Sequence, residues 1–68
     1  MTKQGALNAV RATTHDYLVA METQVLDAPE VEWLDWLRMR SVVRARDLGV
    51  TYEDVKAAVI DGILEVTG

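Results

Sequence analysis

A forced break at Leu48-Gly49 constrains this chain more than any other feature, because the residues around it, RARDLGVTYEDVKAAV from Arg44 to Val59, read as two helices joined by a tight turn. Leu48 ends a helical pattern. Gly49 suits a turn position with φ > 0, where a Cβ is penalised. Ala45 lies one turn earlier, where a larger side chain would push the two helices apart. Val50 plugs the turn. Thr51 is placed to cap the next helix, with Asp54 three residues on as a short-armed version of the capping box. Val55, Ala58 and Val59 then recur at spacings of three and four, the inward stripe of a second helix.

The run Ala45, Leu48, Gly49, Val50 and Val55 resembles the helix-turn-helix of the phage Cro and repressor family, over about a quarter of the chain. The resemblance implies a DNA-reading second helix, with base-contacting positions on Thr51, Tyr52, Glu53, Lys56 and Ala57. The sequence departs from the family pattern at Arg44, where an apolar residue or threonine is usual. It departs again at Glu53 and Asp54, which bring carboxylates to the end that approaches phosphates. Lys56 is the one cation among the five reading positions. Most protein hydrogen bonds to DNA go to its backbone and call for cations or neutral donors, so the resemblance speaks more strongly for the fold than for DNA.

Sixty-eight residues make one domain, and half of them are apolar. A monomer of this size buries only roughly 60% of the surface that its unfolded chain exposes, and chains this short usually need disulfides, a metal, idealised packing or a partner. This chain has no cysteine and one histidine, His15. Thiol catalysis, disulfides and the common zinc sites are therefore excluded, and association is the remaining route. Arg11, His15 and Asp16 interrupt the N-terminal apolar pattern, so neither a signal peptide nor a membrane span is expected, and the expected location is the cytoplasm. Abundant Ala, Val, Asp and Arg with few Lys, Asn and Ile fit a GC-rich genome, as of an actinobacterium or one of its phages.

Three helices are predicted, at about 3–27, 29–48 and 51–67, in an all-α small three-helix domain whose C-terminal half is helix-turn-helix-like. In the first, Leu7, Val10, Thr14, Tyr17, Met21 and Val25 form a stripe close to a heptad seam. Pro29 fits the first turn of the second helix, with Asp27 as its cap and Glu30 and Glu32 on the favourable side of its dipole. That helix has two apolar faces, Leu34, Leu37, Ala45 and Leu48 on one and Trp33, Trp36 and Val43 nearer another. It therefore either packs between its neighbours or exposes its tryptophans to a second chain. A kink near Arg40-Ser41 would bring it closer to the helix-turn-helix shape. In the third helix Val55, Ala58, Val59, Gly62, Ile63 and Val66 point inward, flanked by Ile60 and Leu64. An alternative architecture is a helical hairpin that dimerises along the seam of the first helix.

Charge is sorted along the chain: residues 1–27 carry a net −1, residues 28–48 are neutral and residues 49–68 carry −3, giving −4 in all. Within the neutral part, Arg38, Arg40, Arg44 and Arg46 form a run without an acid. These arginines either contact phosphate or pair with Asp35, Asp47, the acidic third helix or a second subunit. Trp33 and Trp36, three residues apart, with Met39 beside them, form a candidate anchor for a protein; the alternative is that they fill a core lacking phenylalanine. No catalytic constellation is expected: His15 and Asp16 are adjacent and point in different directions from a helix, and Ser41 has no histidine within its own helix. The acids Glu30, Glu32 and Asp35, or Asp61 and Glu65, are read as surface charge rather than a metal site. The expectation is a non-enzymatic interaction protein with no cofactor, metal, membrane or small-molecule substrate, binding a protein or itself through Trp33, Trp36, Met39, Ile60 and Leu64. DNA is the alternative partner, through Arg38, Arg40, Arg44, Arg46, Thr51, Tyr52 and Lys56.

Overall fold

Local capping and dipole chemistry define the helix ends. In the computed structural model, which describes residues 1–23 and 29–68, the chain forms α1 (Lys3–Thr23), α2 (Pro29–Asp47) and α3 (Tyr52–Thr67), with no strand among the described residues. The Thr2 hydroxyl accepts the Gly5 N–H at 2.9 Å, capping α1. Pro29 occupies the first turn of α2, Glu30 and Glu32 follow it, and Arg44 and Arg46 lie in the last turn, each on the side the helix dipole favours. The expected Asp27 cap and the expected stripe residue Val25 lie outside the described residues. α2 is one uninterrupted helix of 19 residues.

The turn between α2 and α3 is built by the residues that predicted it. Gly49 has φ +88°. Its N–H donates to the Arg46 carbonyl at 2.9 Å and the Val50 N–H to the Ala45 carbonyl at 3.0 Å, the paired bonds of a Schellman stop. Ala45 and Val50, the two ends of the longer bond, are both buried. The Thr51 hydroxyl accepts the Asp54 N–H at 3.2 Å, so the hydroxyl half of the capping box is present.

The central place belongs to α1, not to α2. α1 packs along both other helices, which themselves meet sparsely. α2 runs back along it, with Ala6 and Ala9 facing Leu37, Ser41 and Arg44 and Tyr17 facing Arg38. The physical reason is side-chain size. Ala6, Val10, Thr14 and Ala20 are the buried residues of α1, and small side chains let a helix accept close neighbours on two sides. The stripe proposed for dimerisation is thereby covered within the chain: Val10 and Thr14 are buried, Leu7 and Tyr17 half-buried.

One core cluster joins the three helices near the turn: Ala6, Val10, Ala45, Val50, Val55 and Ala58, with Leu7, Val42 and Val59 packed against it. Val10 is its largest fully buried side chain. Further along, Gly62 of α3 lies against Thr14 of α1, whose hydroxyl donates to the Val10 carbonyl at 2.8 Å. A Cβ on Gly62 would stand 2.7 Å from the Arg11 carbonyl oxygen and 2.9 Å from the Thr14 Cβ. Ile63, expected to face inward, is exposed, as are Leu48 and Met21 of the apolar stripes predicted on the second and first helices. α2 and α3 both pack on α1 and meet each other sparsely, so each of these outer helices keeps a face that α1 does not cover.

Gly62→Ala tests this crossing. Alanine gains roughly 1 kcal/mol over glycine in a helix interior, yet the contact with backbone on α1 is expected to reverse the sign and destabilise the fold by about 1–3 kcal/mol. Urea unfolding followed by circular dichroism measures it. An increase in stability would mean that the helices do not approach this closely.

Candidate functional site

The small core leaves most large apolar side chains on the surface, and they gather in two stripes. On α2, Trp33 is 58% exposed, Trp36 48%, Met39 55% and Val43 59%. The indole rings of Trp33 and Trp36 stack with centroids 5.1 Å apart and planes 17° from parallel. The Arg40 guanidinium lies 5.3 Å from the centre of the Trp36 ring, within cation–π range. Trp33, Trp36, Arg40 and Val43 lie opposite the buried Ala45 and Val31 around the helix, with Met39 on their flank. On α3, Tyr52, Ile60, Ile63 and Leu64 form a second exposed stripe, on the flank away from Asp54, Asp61 and Glu65. The five residues expected to bind a partner thus fall into two groups, Trp33, Trp36 and Met39 on one helix and Ile60 and Leu64 on another.

The four arginines do not form one patch. A two-residue step turns a helix through roughly 200°, so Arg44 and Arg46 project from opposite flanks of α2. Arg38 turns toward α1: its Nη2 donates to Asp35 at 2.7 Å, and its guanidinium lies 5.4 Å from the Tyr17 ring centre. Among the described residues no carboxylate comes within ion-pair distance of Arg40, Arg44 or Arg46. Arg40 and Arg44 border an open groove of about 180 Å³ between α1 and α2, floored by Ala6 and Ala9. At the start of α3, Tyr52 and Lys56 are exposed and Thr51 is occupied as a cap.

His15 and Asp16 meet where the sequence reading kept them apart. His15 Nδ1 lies 3.2 Å from Asp16 Oδ1. The pair stands in solvent, with side chains 39% and 60% exposed. Ser41 donates its hydroxyl to the Leu37 carbonyl at 2.8 Å. Among the described residues no three metal-ligating side chains converge; Asp35 is engaged by Arg38 and Glu65 by Arg11. The Arg11 to Glu65 pair ties α1 to the acidic flank of α3. Among the described residues no helix is long and apolar enough to cross a membrane.

No family model, curated protein or solved structure matches this chain.

The arginine assignments separate in a stability measurement. Arg38→Ala is expected to lower stability by up to about 1 kcal/mol through loss of the Asp35 pair and the Tyr17 contact. Arg44→Ala touches neither and is expected to stay within about 0.5 kcal/mol of the parent. Thermal unfolding of both at one protein concentration checks this. Equal losses would mean that Arg44 is engaged like Arg38.

Proposed function

We propose that this is a non-enzymatic helical interaction protein that acts by stoichiometric binding to another polypeptide, in a regulatory or inhibitory role. The observation that carries this reading is the stacked Trp33 and Trp36 pair, held half in water on the side of α2 opposite the core. Tryptophan and arginine dominate the energetics of protein interfaces. A pair of tryptophans next to an exposed methionine and valine is an anchor of that composition, and the α3 stripe of Ile60 and Leu64 adds a second apolar face. Charge also favours a protein. Nonspecific affinity for DNA is mostly attraction of cations to phosphates, whereas this chain carries −4 and spreads its arginines over different sides of α2.

The turn at Gly49 supports a second reading, a helix-turn-helix transcriptional regulator, because Ala45, Val50 and Val55 are buried as that motif asks and Thr51 caps α3. Against it, the exposed face of α3 offers Tyr52, Ile60 and Leu64 with Lys56 as its cation, and Glu53 and Asp54 occupy its first turn.

Fluorescence anisotropy with mixed-sequence duplex DNA, at low and at near-physiological salt, separates the two readings. The expected result is no binding at either. Binding that falls steeply with salt, and weakens in Arg44→Ala with Arg46→Ala or in Lys56→Ala, would replace the protein reading with the DNA one. The double variant Trp33→Ala, Trp36→Ala is expected to keep its helicity by circular dichroism and to lose association with polypeptides. Unchanged association would remove the tryptophan anchor.

A further inference from the structure

The outward side of α2 is organised in heptads. Pro29, Trp33, Trp36, Arg40, Val43 and Asp47 follow one another at alternating steps of four and three, and all six are exposed. That spacing keeps one seam of a helix turned toward a neighbouring helix. A row at seven-residue intervals flanks the seam on each side, Glu30, Leu37 and Arg44 on one and Glu32, Met39 and Arg46 on the other. Both rows start with an acid, carry an apolar residue in the middle and end with an arginine.

We propose that this face binds a second copy of the chain, with the two α2 helices packed antiparallel about a two-fold axis beside residue 38. The proposal rests on the protein-binding reading above and names the occupant of the α2 face. In an antiparallel pair each flanking row meets its own equivalent. Glu30 then stands across from Arg44 of the second copy, and Glu32 across from Arg46. Every flanking charge has an opposite partner, and Leu37 and Met39 meet their own copies beside the axis. Along the seam, Trp33 packs against Val43 of the second copy and Trp36 against Arg40, which already lies over its own Trp36 ring. Asp47 falls beside the first turn at Pro29 of the second copy, where the helix dipole favours a carboxylate.

A parallel pair fails the same comparison. It sets the N-terminal acids of both copies side by side, and likewise the arginines at the other end. The sorting of acid to the N-terminus and base to the C-terminus also suits the dipole of a single helix. The dipole, however, is indifferent to the side of the helix on which a charge stands, and it does not account for two matched rows bordering an aromatic seam. An aromatic side chain buries roughly 150–250 Å² when fully covered. The half-exposed tryptophans of two copies therefore supply only part of the about 1,200 Å² that a stable interface buries. The dimer is expected to be reversible and to dissociate on dilution.

Sedimentation equilibrium of the full chain over a concentration series is expected to show monomer and dimer in exchange, with Trp36→Ala raising the dissociation constant on the order of thirtyfold. Orientation can be read with single cysteines, since the chain has none of its own and the three chosen positions, Glu32, Met39 and Arg46, are exposed. Met39→Cys, beside the axis, is expected to be joined into a dimer by a short thiol-reactive crosslinker. Glu32→Cys alone is not, because its two copies lie roughly 20 Å apart in an antiparallel pair, whereas a mixture of Glu32→Cys and Arg46→Cys is expected to crosslink. Self-crosslinking of Glu32→Cys would overturn the antiparallel arrangement. A monomer at the highest soluble concentration would overturn the dimer while leaving the protein-binding reading in place. Salt-dependent binding of duplex DNA by an intact dimer would do the reverse.

Discussion

Everything else in this structure depends on how closely α1 lets its two neighbours approach. The contact is made by alanine, valine, threonine and glycine: Ala6, Val10 and Thr14 on α1, Ala45 on α2, Ala58 and Gly62 on α3. Interiors are close-packed, so interhelical distances set by such residues leave no room for an indole or for several leucines. The consequence is a division by size. Small residues hold the fold together, and Trp33, Trp36, Met39, Ile60 and Leu64 remain in water. Because hydrophobic stabilisation grows with the apolar area removed from water, a core whose largest fully buried side chain is Val10 stabilises the monomer modestly. The same side chains that the core excludes are the ones with the most to gain from a second surface.

The turn and the helix caps were legible in the sequence because their physics is local. A residue that must adopt φ > 0, a hydroxyl three residues before an N–H, and a valine two residues after the helix stop interact over a few positions of chain. Gly49, Thr51 and Val50 accordingly stand where the pattern put them. The arrangement of helices was less legible. The two apolar faces of α2 leave open a middle position or tryptophans turned outward; α1 holds the middle, and the tryptophans are exposed. Alanine contributes little to a count of hydrophobic residues, so Ala6, Ala9 and Ala20 give a weak signal for a helix with two close neighbours. Periodicity places Met21, Leu48 and Ile63 in apolar stripes, yet each is more than a third exposed, since a stripe does not say how far along its length a neighbouring helix reaches.

The candidate site shows the same split between local and spatial information. The tryptophans stood out from composition and spacing, but whether they fill a core or leave it is decided by the volume of that core. The arginine run read as a patch because its members are close in sequence. On a helix, closeness in sequence scatters side chains around the axis, and Arg38, Arg44 and Arg46 point three different ways. His15 and Asp16 err in the other direction: adjacent residues diverge at Cβ, yet side chains of this length still close to 3.2 Å at the surface. Helical geometry fixes where a side chain starts, and its length decides where it ends.

α2 therefore carries two faces that obey different requirements. Its inward face, Val31 and Ala45 with Val42 beside them, needs small or β-branched side chains, since what matters there is the distance of closest approach to α1. Under the proposed association its outward face needs large ones, since an interface formed from separate chains must offset lost translational and rotational freedom with concentrated anchors. Exchanging the two requirements would damage both: a bulky residue at Ala45 would part α2 from the turn packing, and alanine at Trp36 would leave an outward face with too little area to hold anything. An outer surface under no demand but solubility would carry the polar and charged residues that the opposite side of a surface helix usually shows. Here the acids and arginines border a seam that two stacked tryptophans and a valine occupy, the order that the proposed pairing of two α2 helices requires.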